Sequence, residues 1–508
     1  MESCQAPRGE LTVRRATSPS GGLVLGVLLV CAVTVLVWCP LRTRLELGGD
    51  EGYELQKALL MHRGATLYRE IWNDQPPLHT WLLSLMFRVL GEEALWGRLL
   101  SLVAALWLGW NVGYWSRRGV AGPVGGALAV ALLFTSGHFF IWSISAMLEV
   151  PAAAAGMTAV WLAHTRRFPD WQAGLLAGVL MGLAGQVKMT ALLYCPACLG
   201  VLWLRQIEAP TREEKCRAWV VSVGTFGAGV LLGFLAIAML WPGELSGLWS
   251  HFSPQMRAAF APDYSFDWNW LAHEAALLLL GALFPLVATR SQWRHSLPFL
   301  VNFATTLLVL QFHRPVWPYY VLHLLVPAAI LAAASLQAGW ESLVLLFTRQ
   351  RPPTGILRQM AGLVALVYSL VVVPTQLAGQ IRASRLPDTA LNQELVQQMQ
   401  RCRAFSDRAF SVRPIIAFQA GMTTPPRTTV LPEKRIRLEP DIREVIAEDL
   451  EQWQPGAIYL FARFVTPRVQ AFLDRDYALV FRDRTDFLYI RKDIARRLGD
   501  AEQSVAHK

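Results

Sequence analysis

The stretch Gly49-Asp50-Glu51-Gly52-Tyr53 places two adjacent carboxylates shortly after the first hydrophobic span of the chain. It opens the longest amphipathic segment of the N-terminal half, which runs to Gln75-Pro76-Pro77-Leu78-His79. Hydrophobic spans then fill most of the chain to about residue 378. This order predicts a membrane protein whose chemistry lies at the acidic pair, just outside the bilayer.

The composition favours a polytopic membrane protein over a large soluble one. Of the 508 residues, 54% are hydrophobic and only 17% are charged, whereas a soluble domain has about 25% charged residues. The net charge of +10 does not indicate a nucleic-acid partner, because much of it lies in short loops between spans, where Lys and Arg set topology. The seven cysteines are odd in number and lie mostly in or beside spans, which argues against a disulfide framework.

Eleven segments approach the twenty residues that cross about 30 Å of hydrocarbon. Basic residues in the tail before them, residues 1–21, are expected to hold the N-terminus in the cytoplasm. The predicted spans are about 22–40, 94–115, 120–136, 143–164, 172–187, 189–205, 218–241, 271–288, 296–312, 319–337 and 360–378.

The loops between these spans predict the orientation. With the N-terminus inside, every second loop should be cytoplasmic, and each of those loops carries basic residues, as the positive-inside rule requires. The first outer loop, 41–93, and the tail from 379 then lie on the opposite side. The sequence therefore predicts a multi-pass protein of the inner or plasma membrane with an extracytoplasmic C-terminus.

Three outer segments are not plain linkers. In the first outer loop, 53–63 and 78–90 have the amphipathic pattern of helices at the membrane interface, and the aromatic-rich segment 245–270 is expected to lie along the surface. The tail, 379–508, has no spanning run and predicts a small α/β domain that serves as a cap or an acceptor-docking module. Its predicted strands are 415–418, 457–461, 478–481 and 487–490, and its predicted helices are 392–405, 441–453 and 467–474.

Asp50 and Glu51 are the first candidates for catalysis. A glycosyl or similar transfer needs a carboxylate that takes the proton of the acceptor, and two adjacent acids fit one base with an orienting or pKa-raising partner. The alternative is that they only cap the helix that follows, because acids are common at helix N-termini.

Glu149 and Lys188 are charged residues in apolar surroundings. Such groups are costly near a membrane and usually face a cavity or a partner. The Lys188 ammonium is suited to hold a lipid phosphate as a point charge. The alternatives are a headgroup position for Glu149 and simple snorkelling for Lys188.

A third group lies at the mouth of a late outer span. Arg314 is suited to pair with a phosphate or a carboxylate, whereas Tyr319 and Tyr320 fit an aromatic belt equally well. The histidines could meet in a metal site in three dimensions, but they do not have zinc-motif spacing, which favours satisfied or interfacial histidines. Those at outer positions are His62, His79, His313 and His323.

These motifs, in this order, resemble the polytopic GT-C glycosyltransferases. The acidic pair after the first span is similar to the first outer loop of bacterial members of the dolichyl-phosphate-mannose-protein mannosyltransferase group and of the lipid A aminoarabinose transferases. The resemblance covers about residues 40–375. The other segments that carry it are Tyr68, Asp74-Gln75-Pro76-Pro77-Leu78, Glu149-Val150-Pro151, Gly178 to Lys188, and Pro318-Tyr319-Tyr320 with Pro327.

The resemblance implies an inverting transfer of a sugar from a polyprenyl phosphate to a lipid, glycan or protein acceptor on the outer face. Asp50 would match the catalytic base with Glu51 beside it, and Glu149 a second acid, although an aspartate is expected there. Lys188 would match the donor-phosphate ligand, with Arg314, Tyr319 and Tyr320 nearby. A divalent cation takes part in some branches only. The substrate loop would contain Tyr53, Tyr68, Asp74, Pro76, Pro77 and His79.

Two other classes of function stay open. A transporter or flippase for lipid-linked saccharides would also place Lys188 and Glu149 in a cavity, but such proteins usually contain internal repeats, and the sequence has no convincing one. A non-catalytic assembly protein of the cell envelope would use the outer tail to dock partners and would tolerate the loss of Asp50 and Lys188.

Overall fold

Helices form the membrane part of the protein. The computed structural model describes residues 20–207, 211–243, 245–247, 264–348 and 355–506. Within these ranges, six helices are long and apolar enough to cross a membrane, or seven if one bent pair is a single span. The multi-pass class is therefore confirmed, while the number of eleven spans stays a prediction.

Every predicted span nevertheless coincides with a helix or with a helix and its flanking turn. In three of the predicted spans, a short helical turn adjoins the main helix. These turns are Met189–Tyr194, Phe284–Val287 and Pro318–Val321. The helices up to residue 384 are α1 (Ser20–Trp38), α2 (Glu51–His62), α3 (Leu78–Leu90), α4 (Ala94–Trp115), α5 (Pro123–Thr135), α6 (Gly137–Ser143), α7 (Glu149–His164), α8 (Asp170–Val187), α9 (Cys195–Gln206), α10 (Arg212–Ala238), α11 (Ala275–Ala282), α12 (Arg290–Phe312), α13 (Leu322–Thr348) and α14 (Ile356–Ser384).

The centre of the bundle is α13, whose apolar window is entirely buried. It packs against α5, α11, α12 and α14. Its buried run from Ala328 to Ala334 contains five alanines, and small residues let helix backbones approach closely in a membrane.

The helices α8 and α10 approach each other very closely, because glycines line both sides of their contact. A Cβ atom on Gly178 would lie 2.1 Å from the carbonyl oxygen of Phe226, and one on Gly182 would lie 2.3 Å from that of Val230. Only glycine permits this approach. Since α8 ends at Val187, the contact also fixes the position of Lys188, the next residue.

Both helices predicted in the first outer loop are present as α2 and α3. Glu54, Gln56 and Lys57 are buried although they are polar, because the C-terminal part of the chain packs on α2. A Cβ atom on Gly52 would lie 2.7 Å from the backbone nitrogen of Ile415. The polar residues of α2 therefore face protein.

The C-terminal region, residues 390–506, contains a four-stranded sheet of order β1-β2-β4-β3. β1 and β2 are parallel, and β4 is antiparallel to both β2 and β3. Its elements are α15 (Ala390–Arg403), β1 (Ala409–Ser411), α16 (Pro414–Gln419), α17 (Glu433–Leu438), α18 (Ile442–Trp453), β2 (Ala457–Phe461), α19 (Pro467–Asp476), β3 (Tyr477–Asp483), β4 (Asp486–Arg491) and α20 (Lys492–Ala506).

Three of the four predicted strands are confirmed as β2, β3 and β4, and the predicted strand 415–418 is wrong. That segment is α16, because Pro414 fixes a helical φ at its first turn and its apolar residues pack on α2. The first strand is the shorter run Ala409–Ser411. The predictions for residues 1–19, for most of the aromatic segment 245–270 and for the loop at 349–351 lie outside the described residues.

Candidate active site

A cavity of about 290 Å³ lies between the membrane part and the C-terminal region. Its wall combines the start of α2, the first outer loop, the turn before α7, the end of α8 and a loop of the C-terminal region. It is lined by Gly49, Asp50, Tyr53, Glu54, Lys57, Asp74, Gln75, Met147, Leu148, Lys188, Trp317, Tyr319, Val430, Pro432, Glu433 and Lys434. Five predicted site residues are among them: Asp50, Tyr53, Asp74, Lys188 and Tyr319.

Asp50 occupies the N-cap position of α2, but its side chain does not cap the helix. Within the described residues, its carboxylate makes no hydrogen bond or ion pair and faces the cavity. Burial raises the pKa of Asp50, and the nearby Glu149 and Glu54 raise it further, while Lys188 and Lys434 oppose the shift. Such a carboxylate is suited to accept a proton.

The other carboxylates of the described cavity wall are held in ion pairs. Glu54 lies 2.9 Å from the Nζ atom of Lys57, and Asp74 contacts Lys434. Burial alone would raise the pKa of Glu54, but Lys57 and His79 outweigh it and lower the pKa to about 2. Glu433 also has partners, which are Arg437 at 3.1 Å and Arg463 at 3.2 Å. Asp50 is thus the unpaired acid of this wall.

Glu51, next to Asp50, has a different environment. Both of its oxygens lie 2.8 Å from the guanidinium of Arg98, and both side chains are fully buried. The backbone N–H groups of Leu47 and Ala146 donate to the same carboxylate at 2.9 and 2.8 Å. Glu51 does not line the cavity, so the acidic pair divides into one group that faces the cavity and one that joins α2 to α4.

Lys188 is held at the cavity wall by a carboxylate and two aromatic rings. Its Nζ atom forms an ion pair with Glu149, which is fully buried at the start of α7. The same atom lies 4.1 Å from the ring centroid of Tyr319 and 5.6 Å from that of Tyr320, within the range of a cation–π interaction. Four predicted residues from three separate stretches of the sequence therefore meet here.

The remaining predicted residues do not line the cavity. Arg314 donates to the carbonyl oxygens of Gln311 and His313 at 2.9 and 2.6 Å. Tyr68 donates through its hydroxyl to the carbonyl oxygen of Gln75 at 2.6 Å. Buried Pro76 and Pro77 precede α3.

Buried His79 lies behind Glu54, with Nδ1 3.8 Å from its carboxylate. Among the residues that the structure describes, no three His, Cys, Asp or Glu side chains meet in a group that suits a metal ion. The question of a metal stays open.

Four charged residues of the wall are not among the predicted site residues: Glu54, Lys57, Glu433 and Lys434. Glu54 and Lys57 were interpreted as the polar face of an interfacial helix, although their i,i+3 spacing is that of an ion pair. Lys434 lies in an ordinary charged segment far along the chain, so no local pattern distinguishes it.

Comparisons with known proteins agree with this architecture. Residues 74–241 match the family model described as dolichyl-phosphate-mannose-protein mannosyltransferase. No sequence match was found among curated proteins.

Two crystal structures of ArnT from Cupriavidus metallidurans, one bound to undecaprenyl phosphate and one in the apo state, are similar to this chain. Each has a TM-score of 0.63, with 13% and 12% identity, and they cover 92% and 93% of this chain and 98% of their own. A cryo-EM structure of the arabinofuranosyltransferase AftD from Mycobacteria has a TM-score of 0.51 at 14% identity and covers 93% of this chain and 41% of its own. At these identities the likeness shows a shared fold.

Proposed function

Since the chain has the fold of the GT-C glycosyltransferases, we propose that it moves a sugar from a polyprenyl phosphate to an acceptor at the outer face of the membrane. The observation that carries the proposal is Asp50, a half-buried carboxylate that is unpaired within the described residues and faces the cavity that Lys188 also lines. A base and a cation in one cavity are what such a transfer requires.

In the proposed reaction, Asp50 takes the proton of the acceptor hydroxyl. The acceptor oxygen forms a bond to the anomeric carbon while the bond from that carbon to the phosphate oxygen breaks. Attack on the face opposite the phosphate inverts the configuration. The polyprenyl phosphate leaves with the bonding electrons, and Asp50 carries the proton.

Lys188 is proposed to stabilise the charge that develops on the leaving phosphate. Its ammonium is anchored by Glu149 and Tyr319, so it requires little reorganisation during the reaction. The crystal structure of ArnT with undecaprenyl phosphate supports a polyprenyl phosphate as the lipid class. The hydrophobic helices beside the cavity would hold the lipid chain.

The test uses purified protein in liposomes that contain undecaprenyl-phosphate-linked sugars, beginning with mannose, together with a cell-envelope extract as the source of acceptors, and measures release of undecaprenyl phosphate. We expect Asp50→Asn to lower the rate about 10²- to 10⁴-fold, as loss of a general base does. Asp483→Asn, which changes an exposed aspartate of β3, should leave the rate unchanged.

Full transfer by Asp50→Asn would remove the proposed base. The same liposomes separate the alternative functions, because a flippase would move the lipid-linked sugar between leaflets without releasing undecaprenyl phosphate.

A further inference from the structure

We propose that Lys434 is a positioning residue that the C-terminal region supplies to the active site, where its charge keeps Asp50 ionised. The inference rests on the proposed function, because an ionised Asp50 matters only if it acts as the base. It gives the C-terminal region a part in catalysis in addition to its part as a cover.

The position of this region on the membrane part is fixed by buried contacts. The ring centroids of Phe87 and Phe418 lie 5.7 Å apart. Gln56 donates through Nε2 to the carbonyl oxygen of Met422 at 3.2 Å. The Tyr53 hydroxyl donates to the carbonyl oxygen of Leu431 at 3.2 Å. The loop that leads to Lys434 is thus docked directly on α2.

The local fold then directs Lys434 into the cavity. The neighbouring Arg435 donates through one guanidinium nitrogen to the carbonyl oxygens of Arg427 and Val430 at 2.7 and 2.9 Å, and its guanidinium carbon lies 5.1 Å from the ring centroid of Trp72. These contacts hold the start of α17. The Lys434 side chain is only 9% exposed and pairs with Asp74 of the first outer loop.

The charges around Asp50 explain why one more cation matters. Burial works against ionisation of Asp50, and the carboxylates of Glu149 and Glu54 add to this effect, so the cations Lys188 and Lys434 supply the opposing field. Lys188 is already paired with Glu149 inside the membrane part. The titratable groups that face Asp50 across the cavity or act on it are Lys188, Glu149, Lys434, Glu54, Lys57, Asp74, Glu433, Tyr53, Tyr319 and Tyr320.

The charge of Lys434 itself depends on pH. Burial lowers the pKa of Lys434 to about 7, and Lys57 contributes to the lowering, while Asp50 and Glu54 oppose it. Below that pH the ammonium is protonated. Its removal should therefore make Asp50 harder to ionise.

The experiment measures the protonation of Asp50 without a sugar substrate. A hydrophobic carbodiimide reacts with protonated carboxyl groups, and mass spectrometry of the full-length protein in detergent gives the extent of labelling at Asp50 against pH. We expect Lys434→Gln to move the labelling midpoint upward by about one pH unit, the effect of losing a nearby opposite charge. Lys434→Arg, which keeps the charge, should restore the midpoint.

Two further variants separate the charge of Lys434 from a purely structural role. Asp74→Asn removes the ion pair of Lys434 with the first outer loop but keeps the cation, so it should not raise the midpoint. Lys492→Gln removes an exposed lysine that donates to the carbonyl oxygen of Asp474 at 2.7 Å, and it should have no effect. The transfer rate falls at low pH as Asp50 becomes protonated. The pH of this fall should shift together with the labelling midpoint in every variant.

An unchanged midpoint in Lys434→Gln, or equal upward shifts in Lys434→Gln and Asp74→Asn, would overturn the proposal. Absence of labelling at Asp50 down to about pH 4, near the ordinary aspartate pKa, would also overturn it. Failure of the proposed function looks different, because the midpoints would shift as described while wild-type protein released no undecaprenyl phosphate.

Discussion

At the scale of single residues, Asp50 and Glu51 show how neighbours in sequence acquire different environments. Asp50 faces a cavity and has no ion pair within the described residues, whereas both oxygens of Glu51 are bound by Arg98. The difference arises because successive residues at the start of a helix point about 100° apart. The two carboxylates should therefore respond oppositely to neutralisation.

We expect Glu51→Gln to lower the free energy of unfolding by about 3 kcal/mol or more, because it leaves the buried charge of Arg98 uncompensated. Asp50→Asn should not destabilise the protein near pH 7. Since burial raises the pKa of Asp50 in the folded state, ionisation of this group disfavours folding above that pKa, and a neutral side chain removes the cost. Thermal unfolding of both variants in the same detergent measures the difference.

The outcome that contradicts this assignment is a stable Glu51→Gln protein together with an unfolded Asp50→Asn protein. In that case Glu51 would be the better candidate for the base. Arg98→Leu provides the matched control, because it removes the partner of Glu51 and should lose a similar amount of stability.

The raised pKa of Asp50 also predicts the pH dependence of transfer. The base must be ionised, so the rate should fall as the pH falls through the pKa of Asp50, and burial places this acid limb above the ordinary aspartate value of about 3.9. A profile of kcat/KM against pH measures the limb. A rate that stays constant down to pH 4 would contradict an acid with a raised pKa as the base.

At the residue scale, a charge that interrupts an apolar context was the clearest signal in the sequence. Lys188 and Glu149 were identified in this way and form an ion pair at the cavity wall, whereas Asp50 was identified as part of the acidic pair after the first span. Neither signal could find Lys434, whose sequence neighbours are also charged, or the pairing of Glu51 with Arg98, which depends on a contact between separate elements.

At the scale of elements, the contact between α8 and α10 connects packing to chemistry. Gly178 and Gly182 on α8 permit backbone contact with α10, and Lys188 follows directly at the end of α8. A change in the separation of these helices would therefore move the Lys188 ammonium away from Glu149 and Tyr319.

We expect Gly178→Leu to destabilise the protein by about 1–3 kcal/mol, the usual cost of overpacking, and to weaken undecaprenyl phosphate binding. Gly227→Leu is the matched control, because it lies on α10 where a Cβ atom would meet nothing within 4 Å. Binding is measured as the shift of the thermal unfolding temperature with added undecaprenyl phosphate. Equal shifts in the two variants would show that the helix contact does not position the lipid-phosphate site.

Element-scale prediction was accurate for helices because apolar runs of about twenty residues have few alternatives in a membrane. It failed at 415–418, where a short apolar run fits a strand or a buried helix equally well. Pro414 and packing against α2 favour the helix at this position. A local sequence pattern does not contain information about tertiary packing.

At the scale of the whole molecule, the ends of α1 and α14 meet at the end of the helix bundle that carries the cavity and the C-terminal region. Arg385, just after α14, donates to the carbonyl oxygen of Trp38 at the end of α1 at 2.7 Å, and its guanidinium lies 4.9 Å from the Trp38 ring. Residues 39–49 connect the end of α1 to Asp50 at the start of α2. If α1 begins in the cytoplasm, both the cavity and the C-terminal region must be outside.

The cysteines allow a direct test of this orientation in intact cells. Cys216 is the exposed one of the cysteines that the structure describes, and the loop that contains it is predicted to be cytoplasmic. In a Cys4→Ser background, a membrane-impermeant maleimide should leave Cys216 unlabelled until the cells are permeabilised. The added variant Lys492→Cys, at an exposed position of the C-terminal region, should be labelled at once. The reverse pattern would place Asp50 and Lys434 in the cytoplasm, and transfer at the outer face would then be impossible.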